Sequence, residues 1–225
     1  MIVAIDGPSG VGKSTVARRV AEMLALPYLD TGAMYRAVGL AARRAGLKLP
    51  VSDSAGVVDL AGRSDIRVTA GPGGTRTLLD GEDVSKEIRT PEISRYASAV
   101  SAIPGVRRRL AALQRQLALS EGGVLEGRDI GTKIVPETPY KFFLTARPDV
   151  RAGRRFKELQ AKGTPQSLEQ VLGEMEERDR ADSTRADSPL ACDASYTVID
   201  TSDIDAEAVA GRVLAAVDAG ARARG

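Results

Sequence analysis

The sequence predicts an α/β fold, a parallel sheet covered by helices on both faces. Three observations point there. Short apolar runs alternate with amphipathic helical stretches along most of the 225 residues, the pattern of strand–helix–strand units. A glycine-rich spacing stands at the junction of the first apolar run and the first helical stretch. The chain is 43% apolar, enough for a sizeable core at a length that suits one domain with small inserts.

The elements follow in order. Ile2 to Asp6 is a short apolar run, a buried strand. Gly7 to Gly12 is a turn-rich loop. From Lys13 a helix takes over, because Val16, Val20 and Leu24 recur every four residues while Arg18, Arg19 and Glu22 point away. Pro27 to Asp30 reads as a second strand, Ala33 to Arg44 as a second helix and 53–62 as a short one. Ile66 to Ala70, a GPGG turn at 71–74 and Thr75 to Leu79 read as a β-hairpin. That antiparallel unit interrupts the strand–helix alternation and is therefore an insertion. Helical patterns resume near 91–102 and over Val106 to Leu119, separated by Pro104. Gly123 to Glu126 and Tyr140 to Thr145 are the next strands. Asp149 to Lys162 is an arginine-dense helix, and another covers 167–180. Tyr196 to Asp200 is the last strand and Ala206 to Ala219 the last helix, with Val209, Val213 and Val217 on its apolar face. The terminal ARARG is expected to fray.

Composition excludes several function classes. Thirty-two basic residues against 30 acidic leave a formal charge of +2, too little for a general nucleic-acid coat. Cys192 is the only cysteine and histidine is absent, so an intramolecular disulfide and a zinc site are both ruled out. No run approaches the roughly 18 apolar residues of a membrane span, and no secretory signal is visible. The expectation is a cytoplasmic protein without membrane or nucleic-acid partners.

The strongest local signal is Gly7-Pro8-Ser9-Gly10-Val11-Gly12-Lys13-Ser14, which fits G-x-x-x-x-G-K-[ST] between a strand and a helix. Glycines let successive N–H groups converge on phosphate oxygens, and the following helix turns its positive end toward the anion. Lys13 reaches the β- and γ-phosphates and Ser14 ligates Mg²⁺; Thr15 completes the nucleotide-binding stretch. This spacing alone does not name a reaction. No N-K-x-D for guanine is present, and the strand Val124-Leu125-Glu126 runs into Gly127-Arg128-Asp129 rather than ending in an acidic pair. An arginine and a carboxylate at a strand's C-terminal end lie where open α/β sheets bind ligands. Arg36, Arg89, Arg151, Arg154, Arg155, Arg178, Arg180 and Arg185 are further cations available to a transferring phosphoryl group, whose charge needs fixed positive partners. A phosphate acceptor is already ionised near neutral pH and needs no general base, consistent with a chain lacking histidine. Arg18, Arg19, Arg43, Arg44, Arg108 and Arg109 read as solvated surface.

The blocks IDGPSGVGKST, LDTGAMYR, GEDVSKEIRTPEI, EGRDIGT and ERDRADSTR together resemble the bacterial-type cytidylate kinases, in that family's order and over essentially the whole chain. DTGAMYR and EGRDIGT separate it from adenylate and thymidylate kinases, which share only the phosphate loop. The resemblance implies a five-stranded parallel P-loop sheet in a three-layer α/β/α arrangement. It also implies a core at about 1–30, 120–150 and 190–225, a monophosphate-binding region with a small β insert at about 31–119, and a lid at about 151–165. The implied reaction is transfer of the γ-phosphoryl of ATP, with Mg²⁺, to CMP or dCMP by a monomer. Implied roles are Arg36, Arg128 and Arg185 on the acceptor phosphate, Ser98, Arg107 and Asp129 on the cytosine edge, and Arg178 and Asp182 on the pentose. Arg151 and Arg155 belong to the lid over ATP. With Lys13, Arg128 and Asp129 they form the implied catalytic set. A kinase for another acceptor such as UMP, and a P-loop regulatory or nucleic-acid-binding ATPase, are the alternatives.

Overall fold

The computed structural model describes every residue except 72–73, 162, 164–165 and 223–225. Strands β1 (Ile2–Asp6), β2 (Tyr28–Asp30), β6 (Gly123–Gly127), β7 (Tyr140–Thr145) and β8 (Thr197–Asp200) form one parallel sheet in the order β2-β6-β1-β7-β8. Between them lie α1 (Lys13–Leu24), α2 (Thr31–Arg44), α3 (Ser54–Arg63), α4 (Pro91–Ser101), α5 (Pro104–Glu121), α6 (Pro148–Ala161), α7 (Leu168–Thr184) and α8 (Ala206–Arg222). None of the described helices is long and apolar enough to cross a membrane.

Strand alternation assigns the two faces. Val3, Ile5, Val124, Phe142 and Leu144 pack against α1 and α8 through Val16, Val20, Val209 and Val213. Ala4, Leu29 and Leu125 face the other way and pack against α2, α4 and α5 through Met34, Val38, Val100 and Leu110. The cores are aliphatic, as a chain with 4% aromatics requires. A third, small cluster of Ala152, Leu159, Val171 and Met175 joins α6 to α7. It lets this helical pair hold together on its own beside the sheet.

The insert is larger than the hairpin expected from sequence. Strands β3 (Ile66–Gly71) and β4 (Gly74–Leu79) pair antiparallel, and β5 (Glu82–Asp83) adds a third strand. Two exposed acidic residues show no alternation, so β5 left no signal in the pattern. The tip of the GPGG turn, 72–73, lies outside the described residues. Pro104 opens α5 as its first residue rather than standing apart from it, where its missing N–H costs nothing. The expected C-terminal end of the lid helix, Lys162, and the last three residues of the ARARG tail also lie outside the described residues; α8 is helical through Arg222.

Chain direction places the site. From β1 the chain crosses to β2 on one side, and from β6 it crosses to β7 on the other side of β1. The loops leaving β1 and β6 therefore diverge and leave a crevice at the carboxyl ends of the strands. The first carries Gly7 to Gly12, the second Arg128 and Asp129.

Candidate active site

The crevice opens into a cleft of about 740 Å³. One end is the loop before α1. Gly10 and Gly12 have φ of 77° and 91°, in the left-handed region that other residues rarely adopt. Gly7 is held against β7, where a Cβ would collide with the Leu144 carbonyl oxygen. Lys13 is buried and its Nζ donates to the Pro8 carbonyl at 2.6 Å. The ammonium thus lies folded across the loop's own mouth. Ser14 donates through Oγ to Glu126 at 3.0 Å, and Tyr28 donates to the other oxygen of the same carboxylate.

The far end is a set of arginine–carboxylate pairs. Arg107 and Asp129 form a buried pair at 2.6 Å, with the Arg107 guanidinium 5.6 Å from the centre of the Tyr35 ring. Arg185 stands 3.9 Å from Asp129 and 3.0 Å from Asp182, and Arg128 meets Asp182 at 2.8 Å. Arg36 meets Asp30 at 2.5 Å, while Asp30 also caps α2 by accepting from Ala33 N at 3.1 Å. Several donors here have no hydrogen-bond partner among the described residues: Arg36 Nε, Arg107 Nε and one Arg185 terminal nitrogen. Buried donors left open in this way are costly unless a ligand completes them.

Helices α6 and α7 cover the near end. Arg151 donates to the Ser9 carbonyl at 3.1 Å and pairs with Asp179, whose carboxylate accepts from Ser9 N at 3.2 Å. Gly10 sits tightly beneath them; a Cβ there would lie 2.7 Å from the Met175 methyl. Arg154 is tied to Thr201 through its hydroxyl at 3.0 Å and its carbonyl at 2.6 Å. Arg155 pairs with Glu158 at 2.8 Å and also lines the cleft. Arg178 lines it too and makes no hydrogen bond or ion pair among the described residues.

Most of the residues singled out from sequence therefore converge: the loop from Ser9 to Thr15, Arg36, Arg107, Arg128, Asp129, Arg155, Arg178, Asp182 and Arg185 all line one cleft. Ser98 does not. On α4 the wall is made by Ser94, Ala97 and Ser101; Ser98, one turn after Ser94 on the same side of the helix, is not among the lining residues. Arg151 lies behind the loop rather than in the wall. Sequence reasoning passed over Asp30, Glu126, Asp179 and Tyr35. Asp30 had an available signal as a helix N-cap, and Glu126 as a carboxylate ending an apolar strand. Asp179 had none, since an acidic residue among arginines on a helix reads as a surface ion pair.

The charges have consequences for titration. Burial, reinforced by the Arg128 charge, pushes the Lys13 ammonium well below its ordinary value of 10.5. Desolvation, with Arg128 nearby, likewise brings the Arg178 guanidinium down to about 10. Glu126 is raised by burial and then by Asp30, with Lys13 opposing. For Lys13 the unfolded chain binds its proton more tightly than the folded one as pH climbs toward 10.5, so stability rises with pH across that window. The neutral amine attracts phosphate less, so stabilisation by ATP falls over the same range. Melting curves from pH 8 to 10.5, with and without ATP, check this; on subtracting the same curves for Lys13→Met, the two trends should remain, because only the lysine's titration is left in the difference. Parallel trends with and without ATP count against it.

The Ser14 hydroxyl and the Glu126 carboxylate, together at 3.0 Å, are hard oxygen donors of the kind Mg²⁺ takes alongside phosphate oxygens and water. They fit that ion, and no group of three acidic, cysteine or histidine side chains among the described residues offers it an all-protein cage.

Known proteins fall into line with this geometry. A solved uncharacterized protein from Eubacterium ventriosum shares the fold, with a TM-score of 0.54 at 15% identity over 97% of this chain and 98% of that one. A cytidylate kinase of Pelotomaculum thermopropionicum is 48% identical over 98% of this chain and 97% of its own length. One of Mycobacterium leprae is 49% identical over 93% and 92%. The sequence pattern of the cytidylate kinase family matches residues 3–219, and with relatives this similar over nearly their full length, the chain belongs to that family.

Proposed function

We propose that this chain transfers the γ-phosphoryl of ATP to CMP or dCMP, giving ADP and CDP or dCDP, with the residues of the cleft in the following roles. The observation that carries it is the cleft itself: a phosphate-binding loop at one end, a buried Arg107–Asp129 pair at the other, and Arg36, Arg128, Arg178 and Arg185 in between. The N–H groups of the loop from Gly7 to Gly12 cradle the donor phosphates, and α1 points its positive end at them. Lys13 leaves the Pro8 carbonyl for a phosphate oxygen. Ser14 and Glu126 hold Mg²⁺, which supplies positive charge to the donor phosphates when bound.

Arg36, Arg128 and Arg185 receive the acceptor phosphate, exchanging carboxylate partners for phosphate oxygens. Cytosine presents an amino donor beside acceptors, and Asp129 with Arg107 offers the matching acceptor and donors. Ser98 joins them at the cytosine edge, with Ser94 and Ser101 on the cleft wall beside it. Arg178 and Asp182 serve the pentose and the transferring group. The acceptor oxygen attacks the γ-phosphorus in line as the bond to the bridging oxygen breaks. An ionised phosphate needs no base to do so. Arg151 and Arg155 on α6 close over the reacting groups and keep out water, which would otherwise accept the phosphoryl. The monophosphate-binding region is 31–119, the lid 151–165, and the enzyme works as a monomer.

The test is ADP release with ATP and Mg²⁺ against CMP, dCMP, UMP, AMP and no acceptor. Strong dependence on CMP and dCMP, weak UMP and negligible AMP are expected, because a pocket of hydrogen-bonding groups rejects a base that leaves them unpaired. Equal rates with all acceptors, or none, overturn the assignment.

A further inference from the structure

The Asp6 carboxylate, at the end of β1, lines no part of the cleft and is fully buried. Its Oδ1 accepts from Ile130 N at 3.0 Å, and its Oδ2 accepts from Gly131 N at 2.9 Å and from the Tyr196 hydroxyl at 2.7 Å. Ile130 and Gly131 directly follow Arg128 and Asp129. The turn they open closes on itself through Lys133 N and Ile134 N, which donate to the Asp129 carbonyl at 2.9 and 3.2 Å. A carboxylate that takes two consecutive backbone N–H groups fixes the orientation of that peptide, and with it the exit direction of the two side chains before it. The fit is close: a Cβ on Gly131 would lie 2.6 Å from the Tyr196 hydroxyl. Tyr196 is itself held by an edge-on contact with Phe143 of β7, ring centres 5.9 Å apart.

We infer that Asp6, steadied by Tyr196, is a positioning residue for acceptor recognition: it sets the turn that aims Arg128 and Asp129 into the acceptor end of the cleft. Its neighbour Gly7 begins the donor loop, but that loop is held independently, by Leu144 on one side and by Arg151 and Asp179 on the other. Disturbing Asp6 therefore weakens the acceptor side selectively. A purely structural buried carboxylate has no reason to discriminate between the two substrates.

The inference rests on the acceptor reading above, and the experiment separates the two. Binding of CMP and of ATP is measured by titration calorimetry, and KM and kcat are measured for both substrates, in wild type, Asp6→Asn and Tyr196→Phe. Asn keeps the shape but cannot accept at both oxygens. Its CMP affinity is expected to fall by about tenfold or more, the scale of one to two lost hydrogen bonds to a charged group, with ATP affinity within about twofold and UMP discrimination reduced. Tyr196→Phe removes one bond and leaves both backbone contacts, so a smaller shift of the same sign is expected. If Asp6→Asn does not fold, Tyr196→Phe alone decides. Equal losses for CMP and ATP, or no loss for either, overturn the positioning role. Failure of wild type to bind CMP instead overturns the acceptor reading.

Discussion

Replacing Lys13 by methionine is expected to lower turnover on CMP by about 10³-fold while leaving the thermal midpoint of the free protein unchanged or slightly higher. The loss follows from electrostatics. A preorganised donor aimed at charge that develops in the transition state is worth roughly 10²–10³ in rate, and cationic groups on a transferring phosphoryl can exceed that. The stability side follows from burial. The Lys13 ammonium is buried, its only hydrogen bond among the described residues is to the Pro8 carbonyl, and its proton is held less tightly than in water. Methionine keeps the length and flexibility of the side chain and removes a charge that burial penalises. Steady-state kinetics and a melting curve on the same preparation decide it. A fall of several degrees in the midpoint would mean that the lysine holds the loop together, and the rate loss would then say nothing about catalysis.

How much of this was legible beforehand depends on how local the signal was. The inner sheet strands could be read because they are short aliphatic runs buried on both faces, as Val3, Ala4 and Ile5 are, whereas the edge strand β8 buries only Ile199. The phosphate loop could be read because its glycines serve a backbone shape that other residues rarely adopt. Arg36, Arg128 and Arg185 could be nominated as cations, but sequence gives no means of learning that each sits on a carboxylate. Asp30, Asp182 and Asp129 are separated from those partners by up to 56 residues along the chain. Asp6 was read only as the end of a strand, since nothing in its neighbourhood announces bonds to residues 124 and more positions away. Ser98 was nominated by family resemblance alone; on α4 it shares a side with Ser94, Ala97 and Ser101, and those three line the cleft.

Arg178→Met is expected to separate function from stability in the opposite sense to an ordinary surface mutation: about 10²-fold lower kcat/KM for CMP together with a free-protein melting midpoint that stays level or rises. On α7, Arg178 and Asp182 stand one turn apart and so share the face turned to the cleft, and Arg185, the residue at the helix's C-terminal cap, lines the same cleft. Arg185 pairs with Asp182, and Asp182 is also taken by Arg128. Arg178 is left as the surplus cation, desolvated, beside Arg128, with Arg36 and Arg155 adding to the repulsion and its guanidinium pulled down to about 10. Removing it relieves that repulsion in the free protein. Removing it also takes away a cleft arginine that has no hydrogen-bond or ion-pair partner among the described residues to give up before it can meet an anion. Thermal shift on adding CMP should therefore shrink even as the starting midpoint holds or climbs. The control is Arg19→Ala, an exposed arginine paired with Glu207 at 2.8 Å, neither residue lining the cleft, which should change neither quantity by much. An Arg178→Met protein that melts earlier and binds CMP as wild type does would mean that the guanidinium supports α7 rather than the ligand. The family reading would survive that result, but the idea that unpaired positive charge is stored in this cleft for an arriving phosphate would not.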